Sequence, residues 1–427
     1  MSNNLNYRFG NLKNLSEMLF PLRRSLVGDA ARESLEILDD KYRNLRFYSY
    51  PSRDVIGKWE IPLGWKVKGD ISIGTEIFCA ERECFLVPWG EASLKQEINN
   101  SDVKNIAVFG PRPDVYHYRT NYYGTSSPTI SLPGRVEKKA AAKGLRINIE
   151  SQRFSDFMHI GEFYRRGRSR AEIVFSTYTC HPCLANDNLS GIMVAKYLCD
   201  YISELADPYY SYRVLFFPET IGAQLAIRDL IDGDYVLHAF VLTCLGGNPL
   251  EGIFKMSKWP SLIEKVALDA IQEKYRLRAI PFTPDGSDER QYSSCKKRIS
   301  ASTISFSQFY RYKEYHCSDD DLGFLNLDTL VGSIRMYEEV IDAIEELRIP
   351  KSNMEYGEPC ISAYKMPGFH SGGSYLPFKD KSMSYLQILD LCDGQHSESD
   401  IIKRMGSSSI SRQRYNLLMS NEVIAHV

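Results

Sequence analysis

One short stretch of the chain, STYTCHPCLANDNLSG (176–191), holds His181, Asp187 and the cysteines Cys180 and Cys183. Imidazole and carboxylate are metal ligands, whereas a C-x-x-C pair is a redox motif. Three further stretches carry groups of the same kind: Glu219 in FFPETIGA, Asp288 and Glu289 in PDGSDERQY, and His316 ahead of Asp319, Asp320 and Asp321 in YHCSDDDL. Each has an ordinary alternative. Asp187 and the SDDD run suit helix N-caps, Glu219 suits the positive end of a helix, and acids in a turn-rich loop are normally solvated.

The elements that must position these groups are legible in the apolar runs. AEIVFSTYTC, YRVLFFPET and HAFVLTCLG read as buried strands, while NLSGIMVAKYLCDYISEL, IGAQLAIRDLI and PSLIEKVALDAIQEKY read as helices. Strand–helix alternation at this spacing predicts an α/β fold, a mostly parallel mixed sheet flanked by helices. The candidate groups fall just after strand ends, where open α/β sheets place their ligands. Two histidines and two carboxylates converging there would make a zinc set with an open position. Asp320 would then orient an imidazole from behind.

Around that core, residues 1–48 and 111–350 are assigned to the α/β domain. Residues 49–110 alternate short β-type runs with Gly and Pro and predict a small β-rich insertion domain. Residues 351–427 carry three short helical segments with serine-rich entries and predict a winged-helix domain. In that tail Lys and Arg do not outnumber Asp and Glu, so the basic face of a nucleic-acid reader is missing, and a packing or partner role is expected.

The chain has 427 residues, a net charge of −2 and 43% hydrophobic residues, an ordinary globular composition. Near-neutrality argues against bulk nucleic acid or an acidic membrane as partner. The opening residues are too polar for a secretory leader, and no run of apolar residues is long enough to span a bilayer. A cytoplasmic protein is therefore expected. The ten cysteines include no second C-x-x-C, which argues against a four-cysteine zinc knuckle. Free thiols suit a reducing compartment. A redox role for Cys180 and Cys183 would need a thioredoxin-like βαβ pattern, and none precedes them.

In order and spacing, CHP…ANDNLSG, PETIG and YHCSDDDL resemble the motifs of co-catalytic zinc exopeptidases. That fold is shared by bacterial leucyl aminopeptidases, glutamate carboxypeptidases and glutaminyl cyclases. Over nearly its whole length, YHYRTNYY and the tail included, the chain is similar to bacterial aminopeptidase-like domain proteins with a β-rich insertion and a C-terminal winged helix. The resemblance implies that His181 and His316 are metal ligands, that Asp187 is the ligand bridging two metals in the family, and that Glu219 is the general base. Thr220 stands where dizinc relatives carry a second glutamate. TCLGGNP offers Gly246, Gly247 and Asn248 where they carry an aspartate. One zinc held by His181, Asp187 and His316 is thus expected, with Asp288 as an extra ligand or orienting group.

The activity implied is zinc-dependent hydrolysis of an amide or peptide bond in a small peptide or an amino-acid or amino-sugar conjugate. Relatives of this kind look like accessory enzymes of polysaccharide or small-molecule biosynthesis. Arg119 would hold a substrate carboxylate and Tyr122 would shape the pocket. The alternative is a catalytically degenerate aminopeptidase fold that binds partners through its winged helix. The partner expected is a small molecule or short peptide, with neither nucleic acid nor membrane, and self-association is left open.

Overall fold

The computed structural model describes residues 2–39, 45–123, 130–364, 366, 384–406 and 408–427. An eight-stranded mixed sheet forms the centre. Its strands are β1 (Arg46–Pro51), β2 (Phe157–Arg165), β3 (Glu172–Tyr178), β4 (Ser211–Phe217), β5 (Val236–Leu242), β6 (Gly252–Lys255), β7 (Arg278–Ile280) and β8 (Ala301–Phe306). They lie in the order β1-β2-β4-β3-β5-β8-β6-β7. The four central strands β4, β3, β5 and β8 run parallel, and antiparallel pairing appears only toward the edges.

Every residue of β3 is buried, as a strand covered on both faces requires. One face packs Phe175, Phe240 and Ile304 against the helices Gly191–Glu204, Leu262–Ile271 and Leu327–Glu345. The other packs Val174, Leu215 and Val241 against Ile221–Asp229 and Tyr292. The expected α/β architecture is what the chain adopts.

The β-rich unit has its own core, with Ile71, Ile73, Phe78, Ile147 and Ile149 buried together. Its four-stranded sheet joins Gly64–Ile73, Glu76–Cys79, Leu94–Ile98 and Leu145–Phe154. The last of these lies beyond the 49–110 boundary drawn from sequence. LRINIESQRF alternates apolar and polar residues, and it pairs with Gly64–Ile73 along nine positions from Gly64↔Phe154 to Ser72↔Arg146. Arg46–Pro51 conversely belongs to the main sheet for most of its length. The insertion therefore hangs between β1 and β2, which are neighbours in that sheet.

The C-terminal unit contains helices Tyr385–Leu391, Glu398–Arg404 and Ser409–Ser420, each capped by a serine (Ser384, Ser397, Ser408). Strand Ile424–His426 then pairs with Pro350–Ser352, immediately after the long core helix. The ribbon that closes this unit thus takes one strand from each end of it, and among the described residues no hairpin follows the third helix. Among the described residues no helix is long and apolar enough to cross a membrane.

Candidate metal centre

The stretch ANDNLSG folds as an irregular turn, Ala185–Ser190, that starts the helix Gly191–Glu204. Its alternate polar residues are scaffolding. The Asn188 amide donates to Thr177 Oγ1 at 2.9 Å and to the Tyr178 carbonyl at 3.0 Å. The Asn186 side-chain oxygen accepts from Gly246 N–H, and Ser190 Oγ accepts from Leu245 N–H, so the turn is fixed to the end of β5. Asp187 is left turned toward His181 and His316.

His181 leaves the end of β3, and His316 arrives on the loop after β8. With Asp187 they form a cluster whose ligating atoms all lie within 4.8 Å of one another. His316 Nε2 is 3.1 Å from Asp187 Oδ2, and the Tyr178 hydroxyl donates to Asp187 Oδ1. Two imidazole nitrogens and one carboxylate oxygen are a donor set that suits zinc with a position left open. Their protonation states agree. Burial pushes His181 down to about 4, so it is a neutral imidazole at pH 7. Burial alone would raise Asp187, yet the two histidines and the Tyr178 hydroxyl outweigh it and hold the carboxyl at about 2.

Glu219 follows β4. A carboxylate oxygen of it, Cys180 Sγ and a His181 nitrogen also lie within 4.8 Å of one another. The Ser287 hydroxyl donates to Glu219 Oε1 at 2.9 Å, and Glu219 N–H approaches Cys180 Sγ at 3.3 Å. Burial, reinforced by the charge of Asp187, pushes the Glu219 carboxyl up to about 7, the range in which a base works at neutral pH. His181, His316 and Glu219 face a cavity of about 210 Å³ lined also by Tyr118, Tyr122 and Thr220.

Two expectations change in detail. Asp320 does not orient an imidazole; its carboxylate accepts from the N–H groups of Asn186 at 2.6 Å and Asp187 at 2.9 Å. It supports the ligand turn because that turn exposes successive N–H groups toward the His316 loop. Asp288 accepts from Thr220 N–H at 2.8 Å, and its second oxygen is buried without a hydrogen-bond partner. It braces the segment carrying Glu219 and falls outside both ligand clusters.

Arg119 does not line the Glu219 cavity either; it lines a second cavity on the far side of Tyr118. Cys180 and Cys183 serve different neighbours, the first beside His181 and Glu219 and the second hydrogen-bonded to Cys84 of the insertion. All ten cysteines are unpaired by disulfides. Tyr178, Tyr118 and Ser287 were not singled out by sequence reasoning. Only Tyr178 carried a signal, as a hydroxyl-bearing residue ending a run of buried strand.

After β5 the chain has Gly246 and Gly247. At Gly247 a Cβ would meet the Phe306 carbonyl oxygen at 1.9 Å, so the backbone there admits no side chain, whereas at Gly246 it would meet only the tip of the Leu325 side chain at 2.4 Å.

A crystal structure from Clostridium acetobutylicum, provisionally described as a peptidase, matches with a TM-score of 0.74 and 27% identity, covering 100% of this chain and 98% of that one. A zinc aminopeptidase from Bacillus subtilis matches with a TM-score of 0.56 at 12% identity over 79% of this chain and 94% of its own, a likeness of fold. A Clostridium acetobutylicum protein, provisionally named a polysaccharide biosynthesis protein with an aminopeptidase-like domain, is 30% identical over 412 residues, 93% of this chain and 92% of the relative. The profile of the family described as a domain of unknown function, DUF4910, matches residues 13–347, the span that carries the sheet, the insertion and every residue of the candidate centre. The chain belongs to that family, an aminopeptidase-like group built on the zinc exopeptidase fold.

Proposed function

We propose that the chain is a zinc-dependent hydrolase of aminopeptidase type that cleaves an amide or peptide bond in a small conjugate. The observation that carries this reading is the convergence of His181, Asp187 and His316 within 4.8 Å, with Glu219 beside them on one cavity. Bound zinc would polarise the scissile carbonyl and acidify its water. His181 and Asp187 are already in the protonation states of ligands, so neither has to lose a proton to hold the ion. Glu219 takes the proton of the attacking water and delivers it to the leaving amine. Ser287 fixes one oxygen of that carboxylate and leaves the other for the proton. Tyr118 and Tyr122 wall the site and limit water around it.

One ion rather than two is the reading favoured by Thr220 and by the closed backbone at Gly247. The names of the relatives support peptidase chemistry, and one of them points to polysaccharide biosynthesis. The test is hydrolysis of aminoacyl amides and amino-sugar amides by zinc-loaded protein, compared with Glu219→Gln. Activity that survives this change intact sinks the mechanism.

A further inference from the structure

A second hollow adjoins the one that His181 and His316 line. It is a cavity of about 360 Å³ between the segment Val27–Ala30 of the core and the insertion residues Trp65, Phe85 and Trp89. Two residues join it to the centre: Tyr118 lines both hollows, and Pro182, which lines this one, follows His181 directly. A group seated here would be attached to whatever lies over the ligands.

The walls are rings. Trp65 and Trp89 stand 6.0 Å apart at 49°, and Phe85 meets the Tyr118 ring edge-on at 5.9 Å. Such faces hold a flat or cyclic group and reject a flexible polar chain. The charge is one-sided, with Arg23, Lys66 and Arg119 against the single acid Asp29. Lys66 is held by Asp29 at 3.4 Å at the exposed rim. Arg23 donates to the carbonyls of Ala80 and Glu81, contacts that fix the guanidinium and cancel none of its charge. The uncapped N-terminus of the helix Asp29–Leu38 opens on the same space and adds a favourable field for an anion.

We propose that this cavity is the specificity subsite and takes a ring bearing a carboxylate, with the ring laid against the wall formed by Trp65, Trp89 and Phe85 and the carboxylate toward Arg119. A planar guanidinium suits that group through paired hydrogen bonds. The assignment rests on the hydrolase reading for its link to the scissile bond, but the binding itself does not require turnover.

Trp65 and Trp89 are two of the four tryptophans, so intrinsic fluorescence reports on the cavity. The full chain is titrated with D-glucuronate and benzoate, two sources of a ring carboxylate, and with the neutral D-glucose and benzamide. The expected result is a saturable change in which at least one acid binds tenfold or more tighter than its neutral partner. Arg119→Met, checked for native near-ultraviolet dichroism, cuts that preference to less than threefold. Saturation by glucuronate alone assigns a sugar acid, and by benzoate alone an aromatic acid. Equal binding of acids and neutrals, no saturable binding of any of the four, or an unchanged preference in Arg119→Met overturns the proposal. Acid-selective binding by a chain that hydrolyses nothing would overturn the hydrolase reading and leave the subsite standing.

Discussion

The backbone N–H of Tyr118 donates to the carbonyl of His316 at 2.9 Å. A residue of the insertion side thereby holds the backbone of a candidate metal ligand. Ser318 N–H reaches the Tyr116 carbonyl at 3.0 Å, His117 bridges to Cys317, and Arg112 pairs with Asp319. The His316 loop is thus one edge of a short ladder whose other edge, at Tyr118, walls both cavities.

If Asp320 sets the ligand turn, Asp320→Asn places an amide against two N–H donors that now share a carboxylate. Loss of such outer support costs about 10–100-fold in metal affinity. Zinc affinity measured by competition with a chromophoric chelator should fall within that range. An unchanged affinity means the turn is rigid without it.

Glu219→Gln removes the base and keeps the shape. The turnover number should drop by about 10²–10⁴, the usual worth of a positioned general base. Zinc content, read by elemental analysis, should be unchanged because the His181, Asp187 and His316 cluster is intact. A parallel loss of zinc would make Glu219 a ligand.

Metal stoichiometry is equally direct. Purified protein reconstituted with zinc and desalted should retain one ion per chain, and His316→Ala should retain none. Chelation should abolish activity, and one equivalent of zinc should restore it. Two tightly held ions would show that a carboxylate outside the cluster, Asp288 first, moves into coordination.

His238 gives a pH prediction away from the centre. Its ring is fully buried between Ser300 Oγ and Ser302 Oγ, each at 2.8 Å, and burial pushes it from 6.5 down to about 3. The folded value is depressed, so the neutral form is the native one and no stability depends on it above pH 6.5. Below that, the unfolded chain takes up a proton that the native ring refuses, and stability falls. At pH 5 the loss is about 2 kcal/mol, from roughly 1.4 kcal/mol per pH unit. Urea unfolding at pH 7 and pH 5 should show this extra loss in the parent chain and not in His238→Gln.

Much of this was legible in the sequence because local and global signals agree in the core. The apolar runs of β3, β4 and β5 have strand length and end in polar groups, so both the sheet and the positions of His181 and Glu219 could be read. Leu145–Phe154 was missed as part of the insertion because its long partner strand lies 74 (Ser72↔Arg146) to 90 (Gly64↔Phe154) residues earlier, and alternation shows a strand without naming its mate. The role of Asp320 was misread for a related reason. A carboxylate near a histidine suggests an imidazole partner, but the competing donors were backbone N–H groups that carry no sequence signature. Arg119 was expected to bind substrate beside the ligands, whereas the ring of Tyr118 that sets it apart from them is a tertiary fact.

Pro51 and Phe157 face each other in the ladder of β1 and β2, so the chain departs into the insertion and returns from it at almost the same point. A lobe attached through two adjacent strands behaves as a cassette. Its residues lie outside the strands of the main sheet that carry His181 and Glu219. On the proposed reading, substrate choice resides in that lobe and hydrolysis in the frame, with the Tyr118–His316 contact as the seam between them.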